Sequence, residues 1–245
     1  MQILASRFIY PEEQENLADI LSAFRDTAIQ LSFFKHQDFF KMEHNLIKEI
    51  CSSLNISILT VHAPTVDVFD SDFLKVIEQI KQVYKTTLIT IHPQKGDCSL
   101  ALIKLEEFAS VLEESRIILA YENFPSSASK RKWICKPREM HSSFNLPFLN
   151  LTFDTSHLDL PENCIEEFEA VADKVAVVHL SDVVQDKRHQ PLGRGRVPYR
   201  QFLTHLRSIG FTGPVVIEYM QEYQEQLVED VKRIGSLFGC GNNHP

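Results

Sequence analysis

A chain of 245 residues, 44% hydrophobic and 24% charged, is long enough to bury a full-sized core and has the composition of an ordinary globular protein. Its formal charge of −8 argues against a broad basic face for nucleic acid, because phosphate contacts need clustered Lys and Arg. No apolar stretch nears the roughly 20 residues that span a bilayer, and the start, MQILASRFIYPEEQ, lacks the basic-then-apolar layout of a secretory signal, so a cytoplasmic protein with no membrane partner is expected.

In chain order, short runs rich in Val, Ile, Leu, Thr and Phe return at 2–8, 28–33, 56–62, 87–92, 116–122, 149–154, 175–180 and 214–219. Most are apolar at nearly every position rather than alternating, which is the pattern of parallel strands covered on both faces. Between them lie segments of helical spacing. In 39–54, Phe40, Leu46, Ile47, Ile50 and Leu54 can share a face; in 72–84, Phe73, Leu74, Ile77, Ile80 and Val83 can do the same. The stretches 99–115, 162–174, 198–210 and 222–239 read alike, with Pro198 suited to a helix start and Gly210 to a C-terminal cap.

Strand and helix thus alternate eight times, the rhythm of an α/β protein built as a single (β/α)8 TIM barrel, expected to fill one domain over 1–245. An open doubly wound sheet is the competitor, but no Gly-x-Gly-x-x-Gly opens any of the helices. Cys51, Cys98, Cys135, Cys164 and Cys240 are odd in number and widely spaced, with no Cys-x-x-Cys pair, which suits reduced thiols better than disulfides or a zinc ribbon.

The later strands share an ending. TVH stops at His62, TIH at His92, AYE at Glu122, TFD at Asp154, VVH at His179 and VIE at Glu218. In a parallel barrel such ends converge at one mouth. Carboxylates and imidazoles crowded there without partners would cost several kcal/mol apiece, and one divalent cation would account for the whole set. His157, three residues after Asp154, sits on a loop able to reach the same pocket. After the seventh strand, SDVVQDKRHQPLGRGRVPY reads as a polar loop in which Gly193 and Gly195 permit a tight turn while Arg188 and His189 offer a cation and a further imidazole. Lys95, Arg194 and Arg196 are candidate phosphate contacts by position alone. His36, His44, His141, His205 and His244 have no such context.

The ordered set ENFP, DTSH, HLSD, RHQPLGRG and IEY resembles the xylose isomerase-like barrel superfamily, which includes sugar isomerases and epimerases, inosose dehydratase and endonuclease IV. What the epimerase-like members imply is one divalent metal, Mn2+, Mg2+, Co2+ or Zn2+, held by Glu122, Asp154, His179 and Glu218. In that resemblance Glu122 and Glu218 remove and return a proton through an enediolate of a small carbohydrate, its oxygens touched by His157 and Arg188, with His62 and His92 close by. A polyol or inosose dehydratase would use the same intermediate. The endonuclease IV-like members imply instead a zinc-dependent apurinic-site phosphodiesterase with three ions, adding ligands that match His62, His92, His157 and His189. The chain departs from that pattern at Lys187, where those nucleases place an Asp. Whether the chain forms a homo-oligomer is left open by the sequence.

Overall fold

Each apolar run becomes a strand buried nearly along its length. In the computed structural model of the protein, which describes residues 1–92, 98–125 and 136–238, these are β1 (Gln2–Phe8), β2 (Ala28–Ser32), β3 (Ser57–His62), β4 (Leu88–Ile91), β5 (Ile118–Glu122), β6 (Leu149–Asp154) and β7 (Val175–Leu180). A short ribbon follows, β8 (Asp182–Val184) and β9 (Lys187–Gln190), then the last barrel strand, β10 (Pro214–Ile217). Every barrel pairing is parallel, and the order β1-β10-β7-β6-β5-β4-β3-β2 closes on itself, as expected of a TIM barrel. Lys95, Cys135, Cys240 and His244 lie outside the described residues, and so does the side chain of Cys98.

Helices cover the barrel, and aromatic side chains fill the space between. Phe153 on β6 meets Phe168 edge-on at 5.3 Å between centroids, and Phe168 meets Phe202 at 5.5 Å, all three fully buried. Each such side chain contributes about 2–3 kcal/mol of apolar burial. Cys51 and Cys164 pack in the same shell as free thiols, and burial pushes them up to about 11 and about 12, so they remain protonated.

Three helices depart from the sequence pattern. The segment 39–54 splits into His36–Phe39 and His44–Ser53, so Phe39, Ile47 and Cys51 face inward while Phe40 and Leu46 are exposed. His44 supplies the reason: its ring bonds the Phe39 carbonyl and the Tyr84 hydroxyl, both at 2.7 Å, and fixes the turn between the two pieces. The segment 99–115 breaks at Phe108 into Cys98–Glu107 and Ala109–Glu114. Pro198 caps helix Tyr199–Ser208 from just outside rather than forming its first residue, whereas Gly210, at φ 70°, ends it as expected.

Inside the barrel, polarity is graded along the axis. Leu4, Ala120, Val177 and Val216 pack together near the N-terminal end. Above them sit Ser6, Gln30, Ser32, Thr60, Thr90 and Thr152, all fully buried. Ser6, Gln30 and Ser32 bond to one another, Thr60 donates to the Leu88 carbonyl at 2.9 Å, and Thr90 and Thr152, on β4 and β6, meet at 2.9 Å across the intervening strand. The acids and imidazoles follow at the C-terminal mouth.

The ribbon was not visible in the sequence, being short and polar, and it returns the chain to that mouth. One buried carboxylate holds its base. Asp182 Oδ1 accepts the amides of Val183 and Val197 at 2.8 and 3.0 Å, and Oδ2 those of Gly193 and Gly195 at 3.0 and 2.8 Å. Gly195 fits only because it lacks a side chain, since a Cβ there would lie 2.0 Å from the Val183 carbonyl oxygen. Removing the carboxylate in Asp182→Ala strands these amides, and the expected loss is about 4 kcal/mol. Thermal unfolding should show it as a fall in Tm on the order of 10 °C, and an unchanged Tm would contradict this role.

Candidate metal centre

The strands deliver their polar ends to one place because all run in the same direction. Glu122, Asp154 and His62 end or nearly end β5, β6 and β3, His179 lies one residue before the end of β7, and His92 and Glu218 directly follow β4 and β10. Glu122, Asp154, His179 and Glu218 are each at most 5% exposed. Their meeting point is one nitrogen. His179 Nδ1 lies 2.7 Å from Glu122 Oε1, 3.3 Å from Glu218 Oε2 and 3.9 Å from Asp154 Oδ2.

Two further groups adjoin it. Glu122 Oε2 faces the Nε2 atoms of His62 and His92, each at 3.3 Å. His157 Nε2 and His189 Nε2 approach to 3.0 Å beside Asp154. In each of the sets Glu122/Asp154/His179, His62/His92/Glu122 and Asp154/His157/His189, one ligand atom per residue falls within 4.8 Å of the others, a spacing that can hold a metal ion. A fourth set, His36, Asp70 and Asp72, is exposed or only half-buried, and Lys75 pairs with its Asp72 at 2.7 Å.

The local sequence explains the aim of each group. In DTSH, Asp154 Oδ1 accepts the backbone amides of Ser156 and His157 at 2.6 and 3.1 Å, a turn that swings His157 back over the strand end and leaves Oδ2 facing the centre. Asn123 stitches this turn to β5: its Oδ1 accepts the Asp154 amide at 2.7 Å, and its carbonyl accepts His157 Nδ1–H at 2.9 Å. His62 Nδ1–H donates to the Ala63 carbonyl at 3.0 Å, His92 Nδ1 bonds Thr65 Oγ1 at 2.7 Å, and His179 Nε2–H donates to Gln30 Oε1 at 3.1 Å. Four rings therefore have one nitrogen anchored on oxygen and present the other to the site, the arrangement of metal-binding histidines. His189 takes up a left-handed backbone at φ 51°, held by the bond from the Met220 amide to its carbonyl at 3.0 Å.

Asn123, Thr65 and Gln30 were not singled out in the sequence. Asn123 stands beside Glu122 in ENFP, but Gln30 is a lone amide inside an apolar run and gave no signal. Arg188 is half-buried with its guanidinium on the carbonyls of Ser156 and Leu158, clasping the Asp154 turn. Lys187 is exposed. Arg194 and Arg196 are engaged on the outer surface by Gln226 at 2.6 Å and Glu162 at 3.4 Å.

Charge here is poorly balanced by the protein alone. Burial would raise Glu122, yet the attraction and hydrogen bonds of His179, with those of His62 and His92, hold it well below the usual carboxylate range. Burial would lower His179, but Glu218 and Glu122 outweigh it and lift the ring to about 9. In His62 the bond to Glu122 likewise wins over burial and raises it, whereas burial and the neighbouring His62 lower His92. The buried polar atoms with no hydrogen-bond partner among the described residues include Asp154 Oδ2, Glu218 Oε2 and His189 Nδ1 of this cluster. Acceptors left bare beside an imidazole of raised pKa are what a mixed N/O donor set for a divalent cation looks like, and the residues fit such an ion.

Among the described residues no helix is long and apolar enough to cross a membrane. The chain is 23% identical to an uncharacterised protein of Methanocaldococcus jannaschii, over 90% of this chain and 94% of that one. In fold it is similar to D-psicose 3-epimerase solved in the presence of D-fructose (TM-score 0.73, 12% identity, 98% of this chain and 100% of that one). It is also similar to an AP endonuclease, family 2, from Brucella melitensis (TM-score 0.63, 16% identity, 89% and 92%). The profile of the xylose isomerase-like TIM barrel matches residues 9–236. With that match covering all but the first strand of a closed parallel barrel, the chain belongs to the xylose isomerase-like TIM barrel family.

Proposed function

We propose that the protein is a divalent-metal-dependent isomerase or epimerase of a small sugar or sugar phosphate. The observation that carries this reading is the convergence of two glutamates, from strands separated by β6 and β7, on one side-chain nitrogen. Glu122, Asp154, His179 and Glu218 hold the cation. Bound there, Mn2+, Zn2+, Mg2+ or Co2+ supplies Lewis-acid polarisation of a carbonyl and its neighbouring hydroxyl.

The chain's own residues do the proton work. Glu122 is kept ionised by its histidines and takes a proton from the carbon beside the carbonyl; Glu218, approaching from the other side, returns it. Two bases on two sides permit inversion at that carbon, and one base acting alone permits transfer between neighbouring carbons. His157, Arg188, His62 and His92 surround the substrate's oxygens and fix which carbon faces the bases. Loss of a hydroxyl after the same first step would make the enzyme a dehydratase, read as a product lighter by one water.

A second reading, a zinc-dependent apurinic-site phosphodiesterase, draws support from the adjoining His62/His92/Glu122 and Asp154/His157/His189 sets and from the AP endonuclease-like fold. The charge of −8 opposes it.

Elemental analysis of the purified protein should find at least one equivalent of divalent metal, lost in Asp154→Ala and Glu218→Gln; wild-type stoichiometry in both variants would overturn the assignment. Incubated in deuterium oxide with a panel of ketoses and their phosphates, the enzyme should place label on a carbon beside the carbonyl. Glu122→Gln and Glu218→Gln should each slow that exchange by about 10²–10⁴-fold. For the second reading, zinc-loaded protein should incise a duplex with an abasic site and lose this activity in EDTA; intact duplex would remove the nuclease.

A further inference from the structure

Gln30 lies in the middle of β2, fully buried, and its side chain crosses the barrel interior to a strand 149 residues away in sequence. Its Nε2 faces the hydroxyls of Ser6 at 3.4 Å and Ser32 at 3.3 Å, which are themselves bonded at 2.8 Å. Its Oε1 accepts from His179 Nε2 at 3.1 Å. A glutamine here is costly unless its amide is satisfied. An apolar residue would continue the strand pattern of Ile29 and Leu31, so packing alone does not call for this amide.

We infer that Gln30 is a positioning residue for the metal centre: it holds the His179 proton on Nε2 and so reserves Nδ1, the atom facing Glu122, Asp154 and Glu218, as the coordinating nitrogen. The inference rests on the metal reading above. In the arrangement observed the two serine hydroxyls receive the amide NH2 and the amide oxygen faces His179. With the amide reversed, NH2 would face Nε2, the ring would keep its proton on Nδ1, and the coordinating lone pair would point away from the carboxylates. A buried polar relay of serine pair, amide and imidazole thus links β1 and β2 to β7 and sets one ligand from the opposite wall of the barrel.

The test compares wild type, Gln30→Met and Gln30→Glu by zinc and manganese affinity, read by competition with a chromophoric chelator, with far-ultraviolet circular dichroism as the check on folding. Gln30→Met keeps the volume and loses the acceptor, and its affinity should fall about 10–100-fold. Gln30→Glu keeps an oxygen facing Nε2 and should bind at least as tightly as wild type, which a purely packing role would not predict for a buried added charge. Independently of any variant, long-range nitrogen–proton spectra of the zinc-loaded wild type should show His179 protonated on Nε2 and metallated on Nδ1. A proton on Nδ1, or wild-type affinity in Gln30→Met, would overturn this role alone and leave the metal centre standing. A wild-type protein that binds no divalent metal would overturn both.

Discussion

Glu122, Asp154 and Glu218 bring carboxylate oxygens to within 4 Å of a single nitrogen, His179 Nδ1, at a depth where none of the four residues is more than 5% exposed. Like charges so placed repel strongly once water is removed, and only positive charge at their centre makes the arrangement tolerable. Without a cation the imidazole supplies it, which is why the ring's pKa climbs to about 9. With one, the ring offers a lone pair instead. The rest of the mouth follows from this demand: His62, His92 and His157 are each tied by one nitrogen to a carbonyl or hydroxyl, and the bare oxygens of Asp154 and Glu218 point inward rather than to solvent.

Such a centre needs a floor that is neither water nor oil. Directly beneath a cluster of acids, a wholly aliphatic interior would raise the cost of every charge. The belt of Ser6, Gln30, Ser32, Thr60, Thr90 and Thr152 offers short dipoles satisfied by one another or by a backbone carbonyl, while Leu4, Ala120, Val177 and Val216 below close the barrel by packing. Gln30 is where floor and site touch.

Much of this was legible because a parallel barrel converts order along the chain into proximity. An acid or histidine at the end of an apolar run stands out, and Glu122, Asp154, His179, Glu218, His62 and His92 all stood out that way. Gln30 did not, since a single amide in AIQLS looks like an interruption and its partner lies across the barrel. The ribbon was hidden for a different reason: three residues of β8 and four of β9 carry too little apolar pattern to register. Helix faces were misjudged where a tertiary contact set the boundary, as His44 does by bonding Phe39 and Tyr84 and turning Phe40 outward.

The anchoring of the ribbon by Asp182 separates two jobs that share one loop. The stem, with Val183, Gly193, Gly195 and Val197 gathered on one carboxylate, keeps its shape whatever the outer end does. The outer end, Gln185 through Lys187, is exposed or partly so and makes no bond to Asp182. Side chains there can change without breaking the stem's four bonds, within the limit set by Gln185, whose left-handed backbone at φ 56° disfavours β-branched residues, so the outward face of the loop can diverge while its attachment to the barrel is kept.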